Sequence, residues 1–148
     1  ATLNRDAAET MVECGAHACT DVTGYGLAGH LAEMARGSGV SVELDMVALP
    51  VFAAAEACLR AGVFSGAVER NQDYTMGWVM VADGADEALL PILYDPQTAG
   101  PLVASLAADQ AQAAVAALRA AGYRDATIIG SVAARAADDP IRIRLAAD

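Results

Sequence analysis

The chain has 148 residues and a net charge of −10 at pH 7, which is enough length for one domain with a real core. Its charge has the wrong sign for a nucleic-acid or anionic-membrane surface, since either needs clustered positive charge. All nine basic residues are Arg, and without Lys the chain cannot supply a Walker-type phosphate loop, a Lys nucleophile or a Schiff base.

In chain order, Asn4 stands where it could cap a helix over residues 4–13, with Gly15 to end it and a Leu3, Ala7, Met11 stripe facing inward. Residues 17–22 read as a strand. Leu27, Leu31 and Met34 recur at helical spacing over 27–36, and Gly37-Ser38-Gly39 stops that helix. Residues 40–44 alternate as a strand, 45–50 connect, and 51–61 form a helix closed by Gly62. Residues 66–71 read as a polar loop, 74–81 as a strand holding the only Trp, and 83–93 as a short helix with Asp83, Asp86 and Glu87 facing solvent. An Ala-rich helix over 107–121 and a strand over 126–132 follow. Asp138-Asp139-Pro140 then turns the chain into 141–145, whose strict alternation predicts an edge strand.

The hydrophobic share of 55% is inflated by 36 alanines, and the larger apolar side chains are present in ordinary globular proportion. The expected fold class is therefore α+β: a single domain with one mixed β-sheet and helices packed on one face. No apolar run approaches the ~18 residues of a membrane span. Cys14, Cys19 and Cys58 are odd in number and lack C-x-x-C spacing, which fits a reducing cytoplasm rather than a disulfide framework. The chain opens on Ala1 and enters a helical pattern almost at once, as a C-terminal piece of a larger protein would.

Chemistry concentrates in His17-Ala18-Cys19-Thr20-Asp21-Val22-Thr23-Gly24-Tyr25-Gly26-Leu27-Ala28-Gly29-His30-Leu31. Three glycines in six residues permit close backbone approach, and the helix start behind them offers free N–H groups and a positive dipole end. A carboxylate at Asp21 beside a phosphate is repulsive unless a divalent cation lies between them. The stretch thus reads as a metal–phosphate corner. A second polar, rigid stretch, Tyr94-Asp95-Pro96-Gln97-Thr98-Ala99-Gly100-Pro101, is a good place for a ligand.

Other readings compete with these. Gly24-Tyr25-Gly26-Leu27-Ala28-Gly29 is formally G-x-G-x-x-G, with Asp45 at the distance a dinucleotide fingerprint asks. The approach through His17, Cys19, Thr20 and Asp21 is too polar for the buried parallel strand that such a turn follows. Cys14, His17 and Cys19 hint at zinc but lack a fourth ligand at usual spacing. Asp21 could simply cap a helix, Asp95 could open a turn, and Arg70 could pair with Glu69 or Asp73 at the surface. His30 reads as a hydrogen-bonding anchor for its helix rather than a base.

The segments Leu3-Asn4-Arg5, Ala18-Cys19-Thr20-Asp21-Val22-Thr23-Gly24-Tyr25-Gly26-Leu27, Gly29-His30-Leu31, Arg70-Asn71 and Asp95-Pro96-Gln97-Thr98, with Gly100, occur in this order. Together they resemble the C-terminal domain of the selenophosphate synthetase family, within the aminoimidazole ribonucleotide synthetase superfamily. The resemblance implies an enzyme that makes selenophosphate, AMP and orthophosphate from ATP, selenide and water. It also implies an N-terminal domain, absent from this chain, that carries the catalytic Cys or selenocysteine, the essential Lys and most of the dimer contact.

By the same resemblance Asp21 would help hold Mg²⁺ against ATP. Thr20, Thr23, Gly24 and Gly26 would shape that corner, and Asn71, Gln97 and Thr98 would border the same nucleotide cleft. No catalytic residue is expected in this chain, which alone would be inactive. One departure is Pro101, where the family loop usually has a second Gly. Proline fixes φ and removes a donor, so a non-catalytic homologue that binds nucleotide or a partner protein is the alternative.

Overall fold

The computed structural model describes residues 3–81, 85–135 and 143–146. The elements run α1 (Arg5–Glu13), β1 (Ala18–Asp21), α2 (Gly26–Ser38), β2 (Ser41–Asp45), α3 (Ala53–Arg60), α4 (Ala67–Tyr74) and β3 (Val79–Val81). A 3₁₀ turn (Leu90–Leu93), β4 (Leu102–Ser105), α5 (Ala108–Ala120), β5 (Gly130–Ala133) and β6 (Ile143–Ala146) complete the order.

Helix α2 is the centre of the fold. Ala28, Leu31, Ala32 and Ala35 fall on one stripe at spacings of three and four, and all are buried. Three of the four are Ala, so the helix comes close to its neighbours. Its core partners are Val42 and Leu44 of β2, Val68 of α4, Leu93 and Tyr94, Val22 and Val103. In β2 the alternation is clean: Val42 and Leu44 are buried while Glu43 between them is exposed.

The strands form two sheets. Four of them make a mixed sheet in the order β3-β6-β2-β5, in which β2 pairs antiparallel with β5 and parallel with β6, and β3 pairs parallel with β6. The other two, β1 and β4, form a separate antiparallel ribbon with Asp21 opposite Leu102. The α+β class and the mixed sheet are as expected from the sequence, but β1 and β4 stand outside that sheet.

Local differences have local causes. Residues 66–71 were expected as a loop, yet α4 spans Ala67–Tyr74 and shortens the following strand to Val79–Val81. This helix buries only Val68 and Asn71 and turns Glu69, Arg70, Gln72 and Asp73 outward, so its apolar stripe is a single residue wide. Within the described part of 83–93 only the 3₁₀ turn forms, where Pro91 lies in its first turn; Asp83 lies outside the described residues. Strand β5 begins at Gly130 rather than 126. The turn expected at 138–140 and the first two residues of the last strand lie outside the described residues. The remainder of that strand, β6, is not an edge: it lies between β3 and β2.

At the N-terminus, Leu3 is exposed while Ala7 and Met11 are buried. Asn4 makes no capping bond to α1. The α1 backbone is tied instead to the end of α5: the Ala7 N–H donates to the Tyr123 hydroxyl at 3.0 Å, and that hydroxyl donates to the Leu3 carbonyl at 2.7 Å.

Candidate functional site

Asp21 is the last residue of β1, and its side chain is exposed. None of the described hydrogen bonds uses its carboxylate, and α2 is capped at Tyr25, so Asp21 is not a helix cap. Its charge reaches Cys19 two residues back. Burial, and secondarily the Asp21 charge, push the Cys19 thiol above its ordinary range.

The turn after Asp21 is held by one internal hydrogen bond and by several to residues outside it. The Val22 N–H donates to the Pro101 carbonyl at 2.8 Å, and the Thr23 carbonyl accepts the N–H of Gly26 at 3.0 Å and of Gln97 at 3.2 Å. The Thr23 N–H donates to His30 Nε2 at 3.1 Å, and the Thr23 hydroxyl lies 3.2 Å from the same nitrogen. The backbone N–H groups of Gly24 and Tyr25 take no part in the hydrogen bonds described.

The three glycines divide their labour. Gly26 has φ +68°, and a Cβ there would stand 2.6 Å from the Leu93 carbonyl oxygen. Its missing side chain therefore admits the 3₁₀ turn, not a ligand. At Gly29 a Cβ would meet the Tyr25 Cβ at 2.6 Å. Only Gly24 faces open space, with nothing within 4 Å of such a Cβ.

Distant segments close on this corner. Asn71, buried in α4, donates its Nδ2 hydrogens to the carbonyls of Gly24 at 2.9 Å and Tyr94 at 2.8 Å. Asn4 donates to the Gly100 carbonyl at 2.8 Å. Gly100 lies so tight against the Val22 carbonyl that any Cβ would overlap it. Gln97 is half-buried and donates from Nε2 to Asp95 Oδ2 at 2.7 Å, while Thr98 is exposed. Pro101 is exposed one residue ahead of β4 and uses its carbonyl on Val22.

Thr20, Asp21, Thr23, Gly24, Gly26, Asn71, Gln97 and Thr98 thus lie on segments that the fold joins by direct hydrogen bonds or backbone contact. Arg70 is exposed and makes no ion pair with a described residue. The sequence reading missed Asn4 as a long-range tie. Its place in the Leu3-Asn4-Arg5 segment that carries the resemblance was the available signal.

Two competing readings fall. Strand β1 pairs antiparallel in a two-stranded ribbon, which is not the parallel strand of a dinucleotide turn. Asp45 Oδ1 accepts the N–H groups of Val47 at 2.9 Å and Ala48 at 3.3 Å, closing the connection after β2. Among the described residues, no group of three or more His, Cys, Asp or Glu side chains could hold a metal ion. The corner therefore offers one hard oxygen carboxylate rather than a cage. That suits a cation such as Mg²⁺, which keeps several waters and binds through one or two carboxylates and substrate phosphates.

An aromatic row borders the turn. Tyr25 stacks on Tyr74 with centroids 5.1 Å apart, Tyr74 meets Trp78 edge-on at 5.6 Å, and the Arg36 guanidinium lies 4.3 Å over the Trp78 ring. The Tyr74 hydroxyl donates to Glu33, which raises the Tyr74 pKa. No helix among the described residues is long and apolar enough to cross a membrane.

Residues 2–141 match the family described as AIR synthase related protein, C-terminal domain. The chain is 46% identical over 106 residues to a selenide, water dikinase of Geobacter metallireducens, covering 72% of this chain and 31% of that protein. It is 39% identical over 144 residues to a selenide, water dikinase of Burkholderia ambifaria, covering 97% of this chain and 40% of that protein. A crystal structure of hydrogenase maturation protein HypE superposes with TM-score 0.61 at 28% identity, covering 90% of this chain and 34% of that one. The chain thus spans between 31% and 40% of the length of these proteins.

Proposed function

The chain belongs to the AIR synthase related protein C-terminal domain family, and on that premise we propose that it is the C-terminal domain of a selenophosphate synthetase. The full-length enzyme would be a cytoplasmic homodimer that converts ATP, selenide and water to selenophosphate, AMP and orthophosphate. Its ATP-binding and catalytic domain would precede this chain. The observation that carries the reading is the gathering of the motif segments around Asp21, Asn71 and the 94–101 loop, together with relatives named selenide, water dikinase.

Phosphoryl transfer of this kind is mainly positioning and charge neutralisation. Asp21 would hold Mg²⁺ at the corner, where the ion would neutralise phosphate charge, and Thr20 and Thr23 would shape that corner. Gly24, with open space on its exposed side, lets phosphate oxygens reach the free N–H groups of Gly24 and Tyr25. Gln97 and Thr98 border the nucleotide from the facing loop, and Asn71 keeps that loop against the turn. The essential Lys that the resemblance implies would come from the preceding domain, since the basic residues of this chain are all Arg.

Pro101 does not argue for a non-catalytic protein. It precedes β4, where a missing N–H costs one bond of the Val22–Pro101 pair and leaves the Val22 N–H bond in place. The test is ³¹P NMR of the full-length protein with Mg-ATP and selenide under anaerobic conditions, run beside Asp21→Asn. A selenophosphate signal that falls by about two orders of magnitude in the variant supports the reading. Near-normal turnover of a folded Asp21→Asn protein removes the metal role, and no AMP from the wild type removes the reaction.

A further inference from the structure

We infer that His30 is a positioning residue for the reaction proposed above, and the inference rests on that reading. Its unprotonated Nε2 fixes the Thr23 backbone and, through it, the direction in which Asp21 and Gly24 face the Mg-phosphate.

A backbone N–H is only a donor. His30 Nε2, 3.1 Å from the Thr23 N–H, must therefore present a lone pair, which places the ring proton of the neutral imidazole on Nδ1. The bond spans the turn: Thr23 lies two residues after Asp21, and His30 lies in the first two turns of α2. Tyr25 holds the ring from the side, with centroids 6.0 Å apart in an edge-on arrangement.

Without this bond the Thr23 N–H would lose the one partner it has among the described hydrogen bonds, and the peptide would be held only through its carbonyl. The Thr23 carbonyl is meanwhile committed to Gly26 and Gln97, so the Thr23 peptide groups are held on both sides. The turn then presents the Asp21 carboxylate and the N–H groups of Gly24 and Tyr25 in one arrangement. A misplacement of about 1 Å in such a site costs on the order of 10²-fold in rate, which is why a residue that need not touch substrate matters here.

Gln at position 30 can place an amide oxygen near the Nε2 position and accept the Thr23 N–H, whereas Leu keeps bulk and cannot accept. The experiment compares His30→Gln and His30→Leu in the full-length protein, with ¹⁵N-histidine NMR of the wild type. The His30 signals are identified by their loss in His30→Gln. The expected pattern is a pyridine-like Nε2 and a pyrrole-like Nδ1. His30→Leu should lower kcat about 10²-fold with little change in KM for ATP, and His30→Gln should recover at least about tenfold of that loss.

Wild-type kcat in His30→Leu, or equal impairment of the Gln and Leu variants, overturns the positioning role. A pyrrole-like Nε2 in an active protein overturns the latch alone and leaves the reaction standing. A wild-type protein that makes no AMP but shows the expected nitrogen pattern overturns the reaction, and with it His30's part in that reaction.

Discussion

Asn71 and Gly24 lie 47 positions apart, and the Asn71 carboxamide donates to the Gly24 carbonyl at 2.9 Å while its other hydrogen goes to Tyr94 at 2.8 Å. One buried side chain therefore bridges the glycine turn and the 94–101 loop, beside the backbone bonds Gln97–Thr23 and Val22–Pro101. The amide serves because it carries two donors on one planar nitrogen.

Replacing Asn71 by Ala leaves two inward-facing carbonyls without these partners. Stability should fall by about 2–3 kcal/mol, seen as a loss of roughly 5–10 °C in Tm. Asn71→Asp should be worse at neutral pH than at acid pH, because an ionised carboxylate has no hydrogen to donate and a protonated one has a single O–H. Equal melting of wild type and Asn71→Ala would show that the tie contributes nothing.

Gly26 and Gly24 should respond oppositely to the same methyl group. Gly26→Ala forces a left-handed φ on Ala, costing about 1–2 kcal/mol, and drives its Cβ into the Leu93 carbonyl. The total loss should exceed about 2 kcal/mol. Gly24→Ala should melt within about 0.5 kcal/mol of wild type, yet raise KM for Mg-ATP in the full-length enzyme. Denaturant melts and steady-state kinetics on both variants separate the two roles.

Cys19 reports on Asp21. Burial is the larger cause of its raised pKa and the Asp21 charge the smaller. Alkylation by iodoacetamide near pH 8 should therefore be slower than for an unstructured Cys peptide, since the thiolate is the nucleophile. Asp21→Asn should speed the reaction without bringing it to the peptide rate. No change in rate would show that the two groups do not communicate.

Tyr94 predicts the alkaline limit. Burial raises its pKa, and a hydrogen bond with Thr75 opposes the rise in part. The unfolded chain thus releases this proton at lower pH than the folded one. The contribution is fully present below the ordinary tyrosine value of about 10 and is lost as pH rises through the folded value. Tyr94→Phe should flatten the decline of Tm above pH 10, and an unchanged slope would exonerate Tyr94.

The sequence made α2 and its glycine turn legible because their signals are local: helical spacing at Leu27, Leu31 and Met34, glycines ahead of it, and Gly39 in the left-handed conformation behind it. The positions of Asp21 at a strand end and of His30 early in the following helix were legible for the same reason. Helix α4 was not, because a helix that buries only Val68 and Asn71 looks like a polar loop. Nor could Gly26 be assigned correctly, since the backbone it admits lies at Leu93 and Tyr94, far along the chain. Alternation in Ile143-Arg144-Leu145 revealed a strand but not its neighbours, which pairing alone decides.

The position of β6 between β3 and β2 also sets an order of events during synthesis. The ribosome releases 60 residues or more of chain after β3 and nearly 100 after β2 before residues 143–146 can join them. Until then the nascent polypeptide carries two open strand edges where the finished sheet has a filled interior, and such edges are prone to pair with other chains. Any nick or early stop that removes these four residues takes out the middle of the sheet rather than trimming its margin.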